Sequence, residues 1–172
     1  MGQLSGNQEK VNNKNSDSGA VSKNTTSQEN ESQKNRVISY GDEGDSEGLT
    51  LKIIDKEERT AIDTMGGYSI YKPEDGGKFA LINITLKNNA NRSKGTNNSY
   101  FKLVKGDVTY APSTLIITGT NERFFTFESL NPGLSASGYI VFEVPQDFSF
   151  EEAQIRFDGT GLFNDPLVFE LN

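Results

Sequence analysis

The residues best suited to chemistry are carboxylates in the glycine-rich run 41–48, GDEGDSEG: Asp42, Glu43, Asp45 and Glu47. Oxygen donors that alternate with glycines can coordinate Ca²⁺, and Asp42 and Asp45 are the candidate ligands. The run lacks the ligand spacing and the closing Glu of an EF-hand loop. The pattern favours a solvated loop that leads into a strand. We therefore assign no metal ligand and keep weak Ca²⁺ binding as the alternative interpretation.

Two adjacent carboxylate pairs, Glu57-Glu58 and Glu151-Glu152, could serve acid–base catalysis. Hydrolysis of a glycosidic bond needs two carboxylates roughly 5–10 Å apart across a sugar-binding cleft. Adjacent residues of a strand point to opposite faces of a sheet, so neither pair meets this need by itself. We therefore interpret both pairs as carboxylates on solvent-exposed faces of the domain. A carboxylate-dependent enzyme of the cell envelope, which could use Ca²⁺, stays the alternative function.

Other catalytic groups are scarce in this sequence. The chain contains no His and no Cys, so the commonest general base, thiolate nucleophiles and disulfides are all excluded. Only a Lys could then activate a Ser. The adjacent pairs Ser22-Lys23 and Ser93-Lys94 lie in polar segments. We predict no catalytic residue, no cofactor and no enzymatic activity.

Phenylalanines could form a binding surface instead. Phe125 and Phe127 would share one face of a strand, and Phe124 would point to the other. We expect one face to pack inward, with Phe124 at an edge or under a loop. An exposed aromatic patch that binds a partner is the alternative. Phe148 and Phe150 leave the same two interpretations open.

Composition divides the 172 residues into a linker and a domain. Residues 1–35 contain no aromatic residue, whereas all six Tyr and all eleven Phe follow Val37. Such a polar segment cannot bury enough apolar surface to offset its ordering entropy. We predict a disordered linker at 1–35 and a domain at 36–172. The charges of residues 1–35 cancel, so the net charge of −7 belongs to the domain. That charge disfavours nucleic acid and anionic lipid as partners of the domain.

The strongest predicted strand is 138–144, which follows a Pro-Gly turn at 131–133. Alternate residues from Ile140 to Val144 point to one face, and their largely apolar neighbours point to the other. Pro145 ends the pairing because it has no N–H to donate. Apolar groups on both faces predict a central strand.

The rest of the domain also shows short segments typical of strands, broken by Pro, Gly and Asn about every 8–12 residues. We expect residues 88–98 to form a polar loop and any helix to be one turn near 150–153. These features predict an all-β domain of two packed antiparallel sheets. The other predicted strands are 49–54, 68–71, 79–87, 100–104, 108–111, 114–118, 123–127, 153–157 and 167–171.

Several of these segments resemble an uncharacterised domain family of lipoproteins and secreted proteins of Gram-positive bacteria. The likeness covers roughly residues 37–171, and the family is similar to the mycobacterial secreted immunogenic protein. It implies an immunoglobulin-like β-sandwich and a surface location, and it provides no catalytic residues to transfer. The segments are Tyr40-Gly41-Asp42, 76–88 (GGKFALINITLKN), 101–104 (FKLV) with Tyr110, Leu130-x-Pro132-Gly133 and 138–145 (GYIVFEVP).

The first residues bear on location. Met1-Gly2 leads directly into polar residues with no signal peptide, and we expect Met-Gly to stand in place of an export segment. A polar run of this kind can tether a surface lipoprotein to its lipidated N-terminal Cys. A cytosolic protein with a disordered arm is the alternative.

The sequence thus predicts a non-catalytic binding module of the cell envelope. We expect it to be lipid-anchored outside the membrane or secreted, and to bind a protein or a cell-wall component through loops or a sheet edge. Besides the carboxylate-dependent enzyme, a purely structural or immunity-type interaction protein is the remaining alternative.

Overall fold

The computed structural model describes residues 37–64, 67, 69–159 and 166–172. The predicted linker at 1–35 lies outside these residues, so its boundary with the domain stays a prediction. The described residues contain thirteen strands and a 3-10 turn at Asn98–Tyr100. In chain order, β1 to β13 are Val37–Ile38, Glu43–Ser46, Leu49–Arg59, Ile62–Thr64, Ser69–Tyr71, Gly77–Asn88, Lys94–Asn97, Phe101–Lys105, Val108–Tyr110, Phe127–Leu130, Ser135–Pro145, Ala153–Phe157 and Leu167–Glu170.

Two sheets pack against each other, as the sequence predicts. One has the strand order β1-β13-β12-β8-β9, and the other has the order β11-β6-β3-β2. Two ribbons, β4–β5 and β7–β10, complete the fold. All strand pairings are antiparallel except that of β1 with β13, which is parallel. The prediction of an all-β sandwich is therefore confirmed.

The inward faces of the two sheets form one apolar core. Ile82 of β6 lies opposite Ile140 of β11, and Leu103 of β8 lies opposite Ile155 of β12. All four side chains are fully buried in the same cluster. Burial of each such side chain stabilises the fold by about 1.5–3 kcal/mol. The two-residue alternation predicted for these strands is what brings the four together.

The outer face of the β6–β11 pair is buried as well. Phe79 and Leu81 of β6 and Val141 of β11 join Ile62 and Ile117 in a second apolar cluster. The ribbon β4–β5 and the segment 115–124 supply its cover. A strand that is buried on both faces has a continuous apolar run rather than a strict alternation, as residues 79–82 of β6 do.

Strand β11 stands at the end of its sheet, so the predicted central position is wrong. Strand β6 lies between β11 and β3 instead. The outer edge of β11 is paired with irregular chain. Tyr139 N donates to Arg123 O (2.8 Å), Phe125 N donates to Tyr139 O (2.7 Å), and Ser113 N donates to Val141 O (2.7 Å). These bonds use polar groups that an exposed edge would offer to another chain.

The acidic run 41–48 contains a β-hairpin, so the predicted loop is wrong for most of its length. Strand β2 pairs with β3, and the turn between them is Glu47-Gly48. Both turn residues have positive φ, 53° and 79°, which is the geometry of a type I′ hairpin turn. Gly44 of β2 is buried, while Glu43 and Asp45 on either side of it are exposed. The carboxylates follow the two-residue period of a strand, with glycine on the inner face.

Other segments also differ from the prediction. Of the predicted strand 123–127, only Phe127 belongs to a strand, β10. Residues 94–97, expected in a loop, form β7 and pair with β10. Residues 114–118 belong to no strand, and the 3-10 turn lies at Asn98–Tyr100 rather than near 150–153. Intrinsic β-propensity misses these cases because pairing and burial decide whether a short segment becomes a strand.

An ion pair ties the segment 118–123 to β3. The Arg59 guanidinium donates to both carboxylate oxygens of Glu122, each at 2.6 Å, and to Glu57 at 2.5 Å. The hydrogen bond from Arg59 lowers the pKa of Glu122 below its ordinary value. Two parallel bonds between a guanidinium and a carboxylate also fix the relative orientation of the two side chains.

We expect the replacement Glu122→Gln to destabilise the domain at neutral pH but not in acid. The folded-state pKa of Glu122 is depressed, so the pair's contribution is present above the ordinary value of 4.5 and is lost as pH falls through the folded-state pKa. Both side chains are partly exposed, and screening limits the loss to less than about 1 kcal/mol. Urea unfolding at about pH 7 and about pH 3 measures it. Equal losses at both pH values would contradict the assignment, and the exposed Glu151→Gln is the control.

We expect Gly44→Ala to destabilise the domain by about 1–3 kcal/mol, the usual range for overpacking a filled core. A Cβ at this position would lie 2.9 Å from Cζ of the buried Phe169 ring and would also collide with Ile38. The matched control is Gly95→Ala on β7, where the nearest atoms of Phe127 would be 3.8 Å away. Thermal unfolding compares the two variants, and a smaller loss for Gly44→Ala than for Gly95→Ala would contradict this packing.

Candidate functional site

The structure does not gather the candidate Ca²⁺ ligands into a site. Among the described residues, no group of three or more His, Cys, Asp or Glu side chains is placed to hold a metal ion. Asp45 accepts a hydrogen bond from Thr50 Oγ1 on the neighbouring strand. Asp42 is exposed, and its backbone N–H bonds to Ser39 O in a turn. In the run 41–48, strand β2 and its turn thus place Glu43 and Asp45 on the exposed side of a hairpin.

The carboxylate pairs considered for catalysis are also separated. Glu57 is paired with Arg59, and Glu58 lies 2.5 Å from Lys78 Nζ. Glu151 and Glu152 are exposed together in a turn before β12. The first two carboxylates are thus engaged in ion pairs on the sheet, and the second two lie in a turn.

Tyr139 lies beside this charged cluster without acting as a base. Its ring is 5.7 Å from the Arg59 guanidinium. Burial, and next the charge of Glu57, raises the pKa of Tyr139 above its ordinary value. The phenol is therefore neutral at physiological pH.

The two Ser-Lys pairs do not form a catalytic dyad in the described residues. Ser93 Oγ donates to Asn131 Oδ1 at 2.7 Å, and Lys94 Nζ lies 3.9 Å from Glu47. The pair Ser22-Lys23 lies outside the described residues.

The structure separates the three phenylalanines of 123–127. Phe125 is buried in the main core, whereas Phe127 is 65% exposed. The expectation that they share a face is wrong, because the chain bends at Thr126 between the bridge at Phe124 and strand β10. Phe124 covers the second cluster, with its ring 6.0 Å from that of Tyr139. An exposed aromatic side chain thus remains at Phe127.

Phe148 and Phe150 are part of the packing. Phe148 is buried in the main core, and its ring is edge-on to Phe150 at 5.5 Å and to Tyr110 at 5.8 Å. Both residues therefore pack against the core rather than forming an exposed aromatic patch.

Phe127 lines an open groove on the surface of the domain. The groove has a volume of about 460 Å³, within the range of roughly 300–1,000 Å³ that is typical of small-molecule sites. Its lining is mostly apolar. The lining comes from four stretches of chain, 97–99, 101–102, 111–116 and 126–127. It is the best candidate for a binding site in the described part of the chain.

The segment 111–116 positions the second exposed apolar side chain of the groove. Ile117 and Leu115 pack against the second apolar cluster, so Ile116 between them points outward and is 73% exposed. Tyr71 of β5 donates a hydrogen bond to Ile116 O at 3.2 Å. Residues 115–117 thus alternate as in an extended chain, although the strand predicted at 114–118 does not form.

The ribbon β7–β10 positions Phe127. Phe127 is paired with Asn97, and its ring lies over Gly95, which precedes Asn97 by two residues in β7. Asn97 in turn caps the 3-10 turn, since its Oδ1 accepts from Ser99 N at 2.9 Å. The ring is thus supported on one face and open to solvent on the other.

Lys102 brings a positive charge to the groove. It is opposite Arg156 in the β8–β12 pairing, and both cations contact one carboxylate, that of Asp158. The distances are 2.8 Å from Lys102 Nζ and 2.5 Å from Arg156 Nε. The Lys102 and Arg156 side chains are 43% and 46% exposed. Among the described residues, these two cations and one anion leave a net positive charge there, on a chain whose net charge is −7.

The sequence reasoning missed Ile116 and Lys102 as site residues. It also missed the Ser-x-x-Lys spacing of Ser99 and Lys102, which both line the groove. Lys102 Nζ is paired with Asp158 at 2.8 Å rather than with Ser99 Oγ.

In the described part of the chain, no helix has the length and hydropathy needed to span a membrane.

Solved structures share this fold at low sequence identity. The yjhA protein from Bacillus subtilis aligns with a TM-score of 0.60 at 13% identity, covering 78% of this chain and 99% of that one. A candidate lipoprotein, ycdA, from the same bacterium aligns at 0.54 and 15% identity, covering 76% of this chain and 38% of that one. The secreted protein MPT63 from Mycobacterium tuberculosis aligns at 0.55 and 19% identity, covering 78% and 96%. At such identities the likeness shows the fold alone, and the predicted immunoglobulin-like sandwich is confirmed.

No curated protein matches the chain. A family model does match, over residues 38–165, which lies within the span 37–171 indicated by the sequence motifs. The predicted resemblance to an uncharacterised domain family is therefore confirmed, and the chain belongs to the family described as Domain of unknown function (DUF4352).

Proposed function

We propose that this protein is a non-catalytic binding module of the bacterial cell envelope. It is held outside the membrane by its N-terminal segment, or secreted, and it binds a protein or cell-wall component. The observation that carries the proposal is the open groove with Ile116 and Phe127 exposed on its walls. Exposed apolar side chains that converge on a concavity are typical of interaction sites.

The charged groups support binding rather than catalysis. Of the carboxylate pairs of the alternative enzyme, Glu57 and Glu58 lie in ion pairs, and Glu151 and Glu152 are exposed in one turn before β12. Among the described residues that line the groove, Lys102 is charged and none is acidic. A glycosidase-like site would need two carboxylates facing each other across this space.

The envelope location is supported by the structural relatives. One is named as a candidate lipoprotein and another as a secreted protein. The polar composition of residues 1–35 suits a spacer, since a flexible chain of that length spans roughly 30–35 Å.

The location has a direct test. We expect the native full-length product to incorporate labelled lipid and to fractionate with the membrane, and protease cleavage within 1–35 to release the domain. Labelled protein released in this way supports a tether. Unlabelled protein in the culture medium supports secretion, and unlabelled protein in the cytosol contradicts the proposed location.

The groove is tested by sedimentation of the purified full chain with isolated envelope of the native bacterium. We expect Phe127→Ser to weaken binding about tenfold, the loss typical of a central aromatic contact. Leu134→Ser is the matched control, because Leu134 is comparably exposed at 56% but lies outside the groove lining. Equal binding by the two variants, with unchanged melting temperatures, would contradict the role of the groove.

A further inference from the structure

The walls of the groove suit an apolar ligand. Ile116 and Phe127 present exposed side chains from two separate stretches of chain, and Leu115 and Pro112 add partly buried apolar surface between them. The Phe127 ring rests over Gly95, which limits its movement. A supported aromatic ring loses little conformational entropy when a ligand covers it.

Two polar side chains of the lining already take part in internal hydrogen bonds. Asn97 Oδ1 accepts from Ser99 N, and Ser113 Oγ accepts from Leu115 N at 3.3 Å. The exposed surface of the lining is mostly apolar, which favours a ligand that is recognised chiefly through apolar contact.

One part of the groove has the opposite charge to the domain as a whole. Lys102 is in the lining, and Arg156 is its cross-strand neighbour. In the described part of the chain these two cations share one anionic partner, Asp158, which leaves a positive charge for a second carboxylate. On a chain of net charge −7, this local excess of positive charge is a specific feature. An anionic group next to an apolar one is the complementary chemistry.

We propose that the groove binds an extended peptide segment of a partner protein. The segment places an apolar side chain between Ile116 and Phe127 and an Asp or Glu carboxylate against Lys102 and Arg156. An extended peptide fits because alternate side chains lie about 7 Å apart on one face, which lets one residue fill the apolar part while a near neighbour reaches the cations. This inference rests on the proposed function, since it names the chemistry of the partner.

The test uses a display library of random short peptides, selected against the full chain. We expect the enriched peptides to combine a large apolar residue with Asp or Glu within three positions. A synthetic peptide of the enriched sequence is then titrated by fluorescence anisotropy. Phe127→Ser and Lys102→Glu should each weaken its binding about tenfold, and added salt should weaken binding to the native chain.

Lys87→Glu is the charge-matched control, because Lys87 is an exposed lysine on β6 of the other sheet. It should leave binding of the peptide within about twofold of the native value. Lys102→Gln is the second variant, since it removes the charge without adding a repulsive one, and unchanged melting temperatures show that each variant is folded.

Three outcomes would overturn the inference. They are no enriched peptide, enrichment of basic or purely apolar peptides, and binding that Lys102→Glu leaves unchanged. Binding of a polyglycerol phosphate probe that needs Lys102 but not Phe127 would also overturn it, in favour of an anionic wall polymer. If Phe127→Ser weakens envelope binding while Lys102→Glu does not, the proposed function stands, and the proposal that the ligand is an acidic peptide segment is wrong.

Discussion

Burial of both faces of β6 is the constraint on which the rest of the structure depends. Its residues 79–82 are apolar without interruption, and they contribute to the main core on one side and to the second cluster on the other. The second sheet covers only the inner face. The chain must therefore provide a separate cover for the outer face, because leaving Phe79 and Leu81 in water would forfeit about 1.5–3 kcal/mol each. The ribbon β4–β5 and the segment 115–124 are that cover.

The groove is a consequence of how this cover is built. The segment passes from β9 over the outer face and along the edge of β11, then bends at Thr126 to enter β10. A single layer of extended chain has two faces, and only one of them can pack on the sheet. Ile117 and Phe124 point to the sheet, so Ile116 and, beyond the bend, Phe127 remain on the solvent side. Their exposure follows from the packing of their neighbours, and it leaves apolar surface that a ligand can use.

The sequence predicts what depends on local pattern and fails where distant segments meet. The faces of β11 and its end at Pro145 follow from two-residue alternation and from the missing N–H of proline, and both are confirmed. The place of β11 in the sheet depends on which chain pairs with its far edge, and no local pattern carries that information. The acidic run shows the same limit, because the inward position of Gly44 is visible only when Ile38 and Phe169 are known to pack there. The groove joins four stretches of chain, so alternation alone could identify Ile116 as an outward residue but not its neighbours.

Several carboxylates of the described residues have cationic partners on the sheets, whereas the described residues at the groove include more cations than anions. Glu57 and Glu122 share Arg59, and Glu58 is paired with Lys78. In the cluster at the groove the ratio is reversed, with two cations for Asp158. Partly exposed ion pairs contribute at most about 1 kcal/mol to stability, so the fold gains little from a second cation at this position. The second cation should affect the binding of an anionic ligand more than it affects the stability of the fold. Apolar walls exclude water and reduce the screening of a charge beside them. A cation that matters little for folding but lies next to exposed apolar side chains is best explained by what binds there.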